Sequence, residues 1–158
     1  MDQENKKRDF DNQGNLSYLG ECYVKLELAK RSIKTLKTYG FYFDFLTQNN
    51  CRVEVKAALP SKNRTFKKGK WYEYKYWQFR LSHSKQQADF FVCVVFDTLE
   101  KPPRGIFIFP RTALATLESS QGFSIFESDL TGDFKKQNKI DKVQYLNNWQ
   151  QILSFKVN

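Results

Sequence analysis

Apolar residues in the first third of the chain recur with the period of an α-helix. The stripe consists of Leu19, Cys22, Leu26, Ala29, Ile33 and Leu36. Spacings of three and four residues place these side chains on one helix face, which predicts that this face packs on a core. Asn15 or Ser17 can cap the start of the helix, and Gly40 marks its end. We expect residues 1–14 to form a flexible arm before it.

Beyond this helix the apolar period changes to two, which is typical of β-strands. One face of the first predicted strand, residues 41–47, carries Phe41, Phe43 and Phe45. A turn over residues 48–50 follows, and residues 51–58 then alternate again. The inward face of this second strand carries Val53, Val55 and Ala57. The two strands together predict a β-hairpin.

The rest of the chain predicts a sheet with further helices. Residues 90–97 form a nearly unbroken apolar run, as expected of a central strand that is covered on both faces. The same reasoning predicts strands over residues 77–81, 105–110 and 123–126, and helices over 112–120 and 141–153. This order predicts an α/β fold with a central mixed β-sheet flanked by helices. With 158 residues, of which 41% are hydrophobic, we expect residues 1–158 to form a single domain.

The sequence gives no indication of a membrane segment. No apolar run approaches the roughly 18 residues that a membrane helix needs, and the start of the chain is polar where a signal peptide has an apolar core. We therefore expect a cytoplasmic protein with no membrane contact. Its cysteines, Cys22, Cys51 and Cys93, are widely spaced, which favours buried, reduced thiols over a disulfide framework or a zinc site.

An excess of positive charge is the first indication of a partner. The chain has 26 basic and 17 acidic residues, a formal charge of +9, which is typical of proteins that bind a polyanion. Residues 61–80 hold seven of the basic residues and one acid, interleaved with aromatic rings. We expect this segment to contact DNA through Lys62, Arg64, Lys67, Lys68, Lys70, Trp71, Lys75 and Arg80. For the rings alone, the alternative is an exposed hairpin whose aromatic residues pack inward.

The predicted hairpin also brings acidic side chains together. If residues 48–50 form a three-residue loop, the register places Asp44 directly opposite Glu54. Opposed residues have Cβ atoms about 4.5–5.5 Å apart, so the two carboxylates repel each other unless a cation lies between them. Oxygen ligands of this kind suit Mg²⁺ or Mn²⁺, and Lys56 projects on the same face. The alternative is a solvated strand face with a cross-strand ion pair.

This group of side chains has the chemistry of phosphodiester hydrolysis. A metal held by the acids would polarise a phosphoryl oxygen and lower the pKa of a bound water, while Lys56 orients or activates that water. Glu21, near the start of the striped helix, can complete or support the metal shell if the helix packs beside the hairpin. The alternative for Glu21 is a favourable interaction with the helix dipole. The single histidine, His83, cannot supply a multi-histidine site.

The chain resembles the PD-(D/E)xK nuclease superfamily, which has the restriction-endonuclease-like fold, through the series GECYVKLELAK, FYFDFL, RVEVK, YWQFRLS and ADFFVCVVFD. In that pattern an acid on the first helix precedes an Asp on one strand and an acid-x-Lys triplet on the next. Asp44, Glu54 and Lys56 match the triad in order and spacing, and Glu21 matches the helix acid. Phe43 stands where the pattern has a proline.

This resemblance, which covers about residues 14–110, implies a Mg²⁺-dependent, site-specific DNA endonuclease in which Mn²⁺ can replace Mg²⁺. The chain looks most like the small intron-encoded homing endonucleases; a restriction-type or Holliday-junction-resolving enzyme and a non-catalytic nucleic-acid-binding protein stay open. The Val55 carbonyl then joins the carboxylates as a metal ligand, and Gln78 is a further polar candidate for the site. One such site cuts one strand of double-stranded DNA, which implies a homodimer or homotetramer.

Overall fold

The computed structural model describes residues 3–38, 43–80, 87–117, 122–132 and 141–157. The helices are α1 (Gln3–Lys30), α2 (Arg111–Leu117), α3 (Glu127–Thr131) and α4 (Gln150–Leu153), with a 3-10 helix at Lys142–Tyr145. The strands are β1 (Thr35–Lys37), β2 (Phe45–Thr47), β3 (Arg52–Ala58), β4 (Ser61–Lys67), β5 (Lys70–Phe79), β6 (Phe90–Val95), β7 (Gly105–Pro110) and β8 (Phe123–Phe126). Among the described residues, no helix has the length and apolar character needed to cross a membrane.

The described strands form two sheets. The main sheet has the order β1-β2-β3-β6-β7, in which β3 and β6 run parallel and the other neighbours antiparallel. The second sheet is antiparallel and has the order β4-β5-β8. The prediction of an α/β fold with a central mixed sheet is therefore confirmed.

Strand β6 is buried along its whole length. All six of its residues are buried, and they alternate between two core clusters. Val92 and Val94 belong to the cluster beneath α1, whereas Phe91 and Cys93 belong to the cluster beneath the second sheet. The predicted central strand is confirmed, as are strand β7, which lies at the edge of the main sheet, and the helix and short strand that follow it.

Different layers cover the two faces of the main sheet. Helix α1 and the C-terminal residues Trp149 and Ile152 cover one face. The second sheet covers most of the other face with Trp77 and Phe79 of β5, and the indole N–H of Trp77 donates to the carbonyl of Phe96 at 2.7 Å. Helices on both faces were expected, but an antiparallel sheet with one apolar face buries the main sheet equally well.

The predicted strand over residues 77–81 belongs to the second sheet. Its described part lies within β5, which pairs with β4 in a hairpin closed by Lys68 and Gly69. Both turn residues have positive φ, 49° and 75°, as a two-residue hairpin turn requires. Residue 81 lies outside the described ranges. A hairpin is therefore present in this segment, but the rings of its outer part, Phe66, Trp71 and Tyr72, are exposed and do not pack inward as that alternative supposed.

Helix α1 starts earlier and ends sooner than the sequence predicts. It spans Gln3–Lys30, whereas the predicted helix begins at residue 15 or 17 and continues to residue 40. Ser32 adopts a left-handed backbone with a φ of 61°, and its N–H donates to the carbonyl of Ala29 at 2.9 Å. This arrangement closes a helix, so Leu36 lies in β1 instead of on the helix.

The face of α1 that packs on the main sheet is not the predicted one. The core side of the helix carries Leu16, Gly20, Val24 and Leu28. Much of the predicted stripe is exposed: Cys22 and Ala29 face solvent, and half of the Leu26 surface is accessible. The expected burial is therefore wrong for the thiol of Cys22, while Cys51 and Cys93 are buried as predicted.

A close approach at Gly20 explains the choice of helix face. A Cβ atom at Gly20 would lie 2.8 Å from the Cβ of Ala57 and 3.6 Å from the Cγ1 of Val55. Such a distance between the helix and β3 leaves no room for a side chain, so only a glycine allows it. The predicted stripe of larger side chains would have held the helix farther from the strand.

The β2–β3 hairpin has the predicted three-residue loop. The N–H of Thr47 donates to the carbonyl of Cys51 at 3.0 Å. Asn50 closes the loop with a φ of 61°, as is typical of a three-residue connection that ends in a left-handed residue. Strand β2 is shorter than the predicted strand over residues 41–47, and residues 41 and 42 lie outside the described ranges.

The predicted common face of Phe43 and Phe45 is wrong. Phe45 packs in the cluster beneath α1, whereas Phe43 packs in the cluster beneath the second sheet. The regular ladder of β2 ends at Phe45, and the N–H of Asp44 donates to the carbonyl of Val53 at 2.9 Å. Strict alternation is lost at this irregular pairing, so Phe43 turns to the other side.

The predicted C-terminal helix over residues 141–153 is broken into two short pieces. A 3-10 helix covers Lys142–Tyr145, and α4 covers Gln150–Leu153. Between them, Asn147 has a φ of 51°, and its N–H donates to the carbonyl of Ile106 at 2.7 Å. A tertiary hydrogen bond to β7 thus interrupts the helical pattern.

The two glycines of α1 provide a matched test of the helix–strand contact. We expect Gly20→Ala to lower the free energy of unfolding by about 1–2 kcal/mol, because overpacking outweighs the gain in helix propensity. Gly14→Ala should instead raise it by up to about 1 kcal/mol, since a Cβ there meets nothing within 4 Å. Urea unfolding measures both; equal stabilisation by the two substitutions would contradict the close approach.

Candidate active site

The β2–β3 hairpin holds Asp44 and Glu54 next to each other. Phe45 pairs with Val53, and Asp44 lies at the irregular end of this ladder, close enough to Glu54 for its charge to raise the pKa of that carboxyl group. The Oδ2 atom of Asp44 accepts a hydrogen bond of 2.6 Å from the N–H of Val55. This hydrogen bond fixes the carboxylate of Asp44 against the backbone of β3.

Glu54 and Lys56 lie on the same face of β3, opposite to the face that packs on α1. The Nζ atom of Lys56 is 2.5 Å from the Oε1 atom of Glu54. Glu54 is buried, and Lys56 is paired in register with Cys93 of the buried strand β6. The predicted grouping of two acids and one lysine is thus present. Asp44 is half-buried and the Lys56 side chain stays 34% exposed, so the group is only partly buried.

Glu21 approaches the site from α1, one residue after the Gly20 contact. Its Oε2 atom lies 3.6 Å from the Nζ of Lys25 and 3.5 Å from the Nζ of Lys37. Its charge raises the pKa of the carboxyl groups of both Asp44 and Glu54. The structure therefore places Glu21 at the border of the acidic pair, held by two lysines.

Burial is the main cause that raises the pKa of both central carboxyl groups. For Asp44, the N–H of Val55 opposes this effect, and Lys56 also lowers the pKa. For Glu54, the hydrogen bond from Lys56 opposes burial, and the charge of Asp44 raises the pKa further. Two partly desolvated carboxylates that repel each other thus share one strand end, which is an arrangement that a bound cation would relieve.

The free oxygens of this pair fit a magnesium ion. Among the described residues, none donates a hydrogen bond to Oδ1 of Asp44 or to Oε2 of Glu54. Mg²⁺ is typically held by one or two carboxylates and keeps several waters, so a pair of acids is sufficient. Within the described ranges, no group of three or more His, Cys, Asp or Glu side chains could hold a metal, which leaves Glu21 in a supporting position.

The structure does not bring Gln78 to the acidic pair. Gln78 lies on β5 opposite Ser124 of β8, and its side chain is exposed. Its neighbours Trp77 and Phe79 point into the core, so Gln78 points to the outer face of the second sheet.

Two lysines near the site were not identified from the sequence. Lys25 lies one helical turn after Glu21, a spacing that favours an ion pair and was available as a signal. Lys37 comes from β1, which the sequence placed inside the helix. The order of the strands brings it beside Glu21, and periodicity alone contains no such information.

The basic residues predicted to bind DNA are divided by the β4–β5 hairpin. Lys62 and Arg64 lie on one face around Glu73, at 3.5 Å and 3.3 Å from its carboxylate. Lys75 is 2.9 Å from the Oδ1 of Asp97 and is therefore part of an internal ion pair. These ion pairs reduce the positive charge that the base of the hairpin, where Lys62, Arg64 and Lys75 lie, presents to a polyanion.

The far end of the hairpin carries the remaining positive charge. Lys67, Lys68 and Lys70 are exposed there, and none forms an ion pair with another described residue. The ring of Trp71 packs against Phe66 with centroids 5.2 Å apart and stays 70% exposed. Arg80, exposed at the other end of β5, lies apart from this group.

The raised pKa of Glu54 predicts a stability that depends on pH. The folded state binds this proton more tightly than the unfolded chain, so stability falls as the pH rises through the window between the ordinary value of 4.5 and the raised one. We expect Glu54→Gln to unfold at higher urea concentration than the wild type at pH 7.5 in EDTA, and the difference to vanish near pH 4.

Glu73→Gln is the control for this measurement. Arg64 and Lys62 lower the pKa of the exposed Glu73, so removal of its charge should bring no stabilisation at pH 7.5. A Glu54→Gln protein less stable than the wild type at pH 7.5 would contradict the desolvation of Glu54.

No protein-family model matches this chain, and comparisons with curated proteins and with solved structures also find no match.

Proposed function

We propose that the protein is a Mg²⁺-dependent, site-specific DNA endonuclease of the homing type, with Mn²⁺ as a substitute metal. The observation that carries this proposal is the partly buried pair of Asp44 and Glu54. Both carboxyl groups have a raised pKa, and the Nζ of Lys56 lies 2.5 Å from Glu54. Acids in such surroundings destabilise the fold unless they bind something.

Each residue of the site has a distinct role in phosphodiester hydrolysis. Bound Mg²⁺ would polarise a phosphoryl oxygen and lower the pKa of water. Asp44 and Glu54 would hold the metal, with the Val55 carbonyl as a further candidate ligand. Lys56, fixed by Glu54, presents its remaining N–H groups to the attacking water and to the charge that develops on the phosphate. Glu21 supports the site from α1, outside the set of residues that would bind the metal.

The alternatives differ in what they require of this pair. A non-catalytic nucleic-acid-binding protein gains nothing from two desolvated acids beside a lysine, and this favours an enzyme. Restriction-type and Holliday-junction-resolving nucleases use the same chemistry, so the acidic pair does not separate them from a homing enzyme. The distinction depends on how the chain contacts DNA away from the cut.

We expect Asp44→Asn, Glu54→Gln and Lys56→Ala each to abolish cleavage in Mg²⁺ while DNA binding stays within about tenfold of the wild type. The substrates are a pool of plasmid, genomic fragments and a four-way junction, and the new DNA ends are sequenced. Gln78→Ala is the matched control and should keep cleaving, because Gln78 lies on the outer face of the second sheet. Undiminished cleavage by the three site variants would refute the assignment.

A double-strand break needs two of these sites on opposite strands. We expect light scattering to give the mass of a homodimer or homotetramer for the protein on its DNA target. A strictly monomeric complex that still cuts both strands would contradict this expectation.

A further inference from the structure

The outer part of the β4–β5 hairpin projects from the body of the protein as a two-stranded ribbon. Strand β8 pairs with Tyr76–Phe79 of β5, and among the described residues no third strand lies beside residues 62–75, here called the ribbon. Every ribbon residue is exposed except Thr65 and Lys75. Both faces of the ribbon are therefore exposed beyond its base, where Tyr74 packs against Phe126. Lys68 and Gly69 have the positive φ that a two-residue turn requires.

The composition of the ribbon indicates the chemistry of its partner. Lys67, Lys68 and Lys70 form an unpaired positive tip. Tyrosine and tryptophan are common at protein interfaces, but lysine is depleted there, and three adjacent unpaired lysines would be costly to desolvate against a protein. Binding to a polyanion avoids this desolvation cost, because each lysine can replace a counterion at a phosphate group.

The dimensions of the ribbon fit double-stranded DNA. A two-stranded β-ribbon is one of the two elements that the major groove of B-DNA admits, at a groove width of about 12 Å. The ribbon extends over about 20 Å at 3.3–3.4 Å per residue, which corresponds to about six base pairs at 3.4 Å each. Both free faces and both edges can then contact the groove.

The ribbon starts at the end of β3 that lies away from the acidic pair. At its base, Lys75 binds Asp97, two residues after the last residue of β6, and the indole N–H of Trp77 donates to the Phe96 carbonyl. Glu54 lies four residues before the last residue of β3, Ala58, a separation of about 13 Å. A ribbon extended in line with β3 would place its tip about 33 Å from the carboxylates, or about ten base pairs.

We propose that the ribbon enters the major groove of duplex DNA and contacts base pairs at least about four positions away from the cut phosphate. Each protomer then covers about ten base pairs, one turn of B-DNA, which deepens the proposed function toward a long recognition site. The location of the cut rests on the proposed nuclease activity, whereas the groove contact itself does not.

The ribbon contact is tested by binding without cleavage. Fluorescence anisotropy in EDTA measures the affinity for a duplex of 30 base pairs across a salt series. We expect Lys67→Ala/Lys70→Ala to bind at least tenfold more weakly and to reduce the salt slope by about two. The control Lys30→Ala/Lys34→Ala removes the same charge beside the β2–β3 turn, where Lys34 bonds to Gln48, and should change little.

The groove is identified with modified DNA and a competitor. A duplex whose cytosines are glucosylated 5-hydroxymethylcytosine has a filled major groove, and we expect the wild type to bind it at least tenfold more weakly than plain duplex. Netropsin, which fills the minor groove, should not displace the protein. Equal binding of both duplexes, displacement by netropsin, preference for single-stranded DNA, or equal effects of the two double variants would each overturn the inference.

A final comparison separates this inference from the nuclease proposal. Duplexes that the protein binds are selected from a random pool. On these duplexes, methylation interference identifies the guanines whose N7 methylation prevents binding, and incubation in Mg²⁺ identifies the cut positions. Interference about four to ten base pairs from the cut supports the ribbon geometry, and interference confined to the cut overturns it. Ribbon-dependent groove binding with no cutting refutes only the nuclease, while cutting with no ribbon dependence refutes only the ribbon.

Discussion

Burial of the main sheet on both faces is the constraint on which the rest of the structure depends. Strand β6 is buried on both faces, whereas its neighbour β3 is covered by α1 on one face and partly covered on the other, where Lys56 is half-buried. Helix α1 can approach one face closely only because residue 20 is a glycine. On the other face, Trp77 and Phe79 bring the second sheet into contact with the core. The position of every candidate functional group follows from these two layers.

The same two-sided cover explains the electrostatics of the acidic pair. In an open antiparallel sheet, Asp44 and Glu54 would have been solvated, whereas here burial raises the pKa of both carboxyl groups. Among the described residues, the N–H of Val55 and the ammonium of Lys56 are the groups that donate hydrogen bonds to the two carboxylates. Residual destabilisation of this kind is typical of a site prepared for a ligand. Stability of the metal-free protein and readiness for a metal therefore oppose each other at one point of the sheet.

The ribbon is stabilised at its base. It projects from the core without a third strand, and an isolated two-stranded element is marginal in water. Its base is held by Lys75 and Arg104, which bind Asp97 and Glu127 and lie over the ring of Trp77. Anchoring at the base leaves the tip without ion pairs. The division of charge into a paired base and an unpaired tip fits an element that reaches outward to a polyanion.

Local signals in the sequence were sufficient for the acidic pair. Alternation along β3 and a three-residue loop ending at Asn50 determine the register between Asp44 and Glu54, because both depend only on neighbouring residues. The continuous apolar run of β6 likewise predicts its central position. The chain does not itself indicate which half-apolar face of α1 is buried, that a second sheet replaces a helical layer, or that Lys37 reaches Glu21. Only the tertiary structure decided these points, since each depends on the distance between elements far apart in sequence.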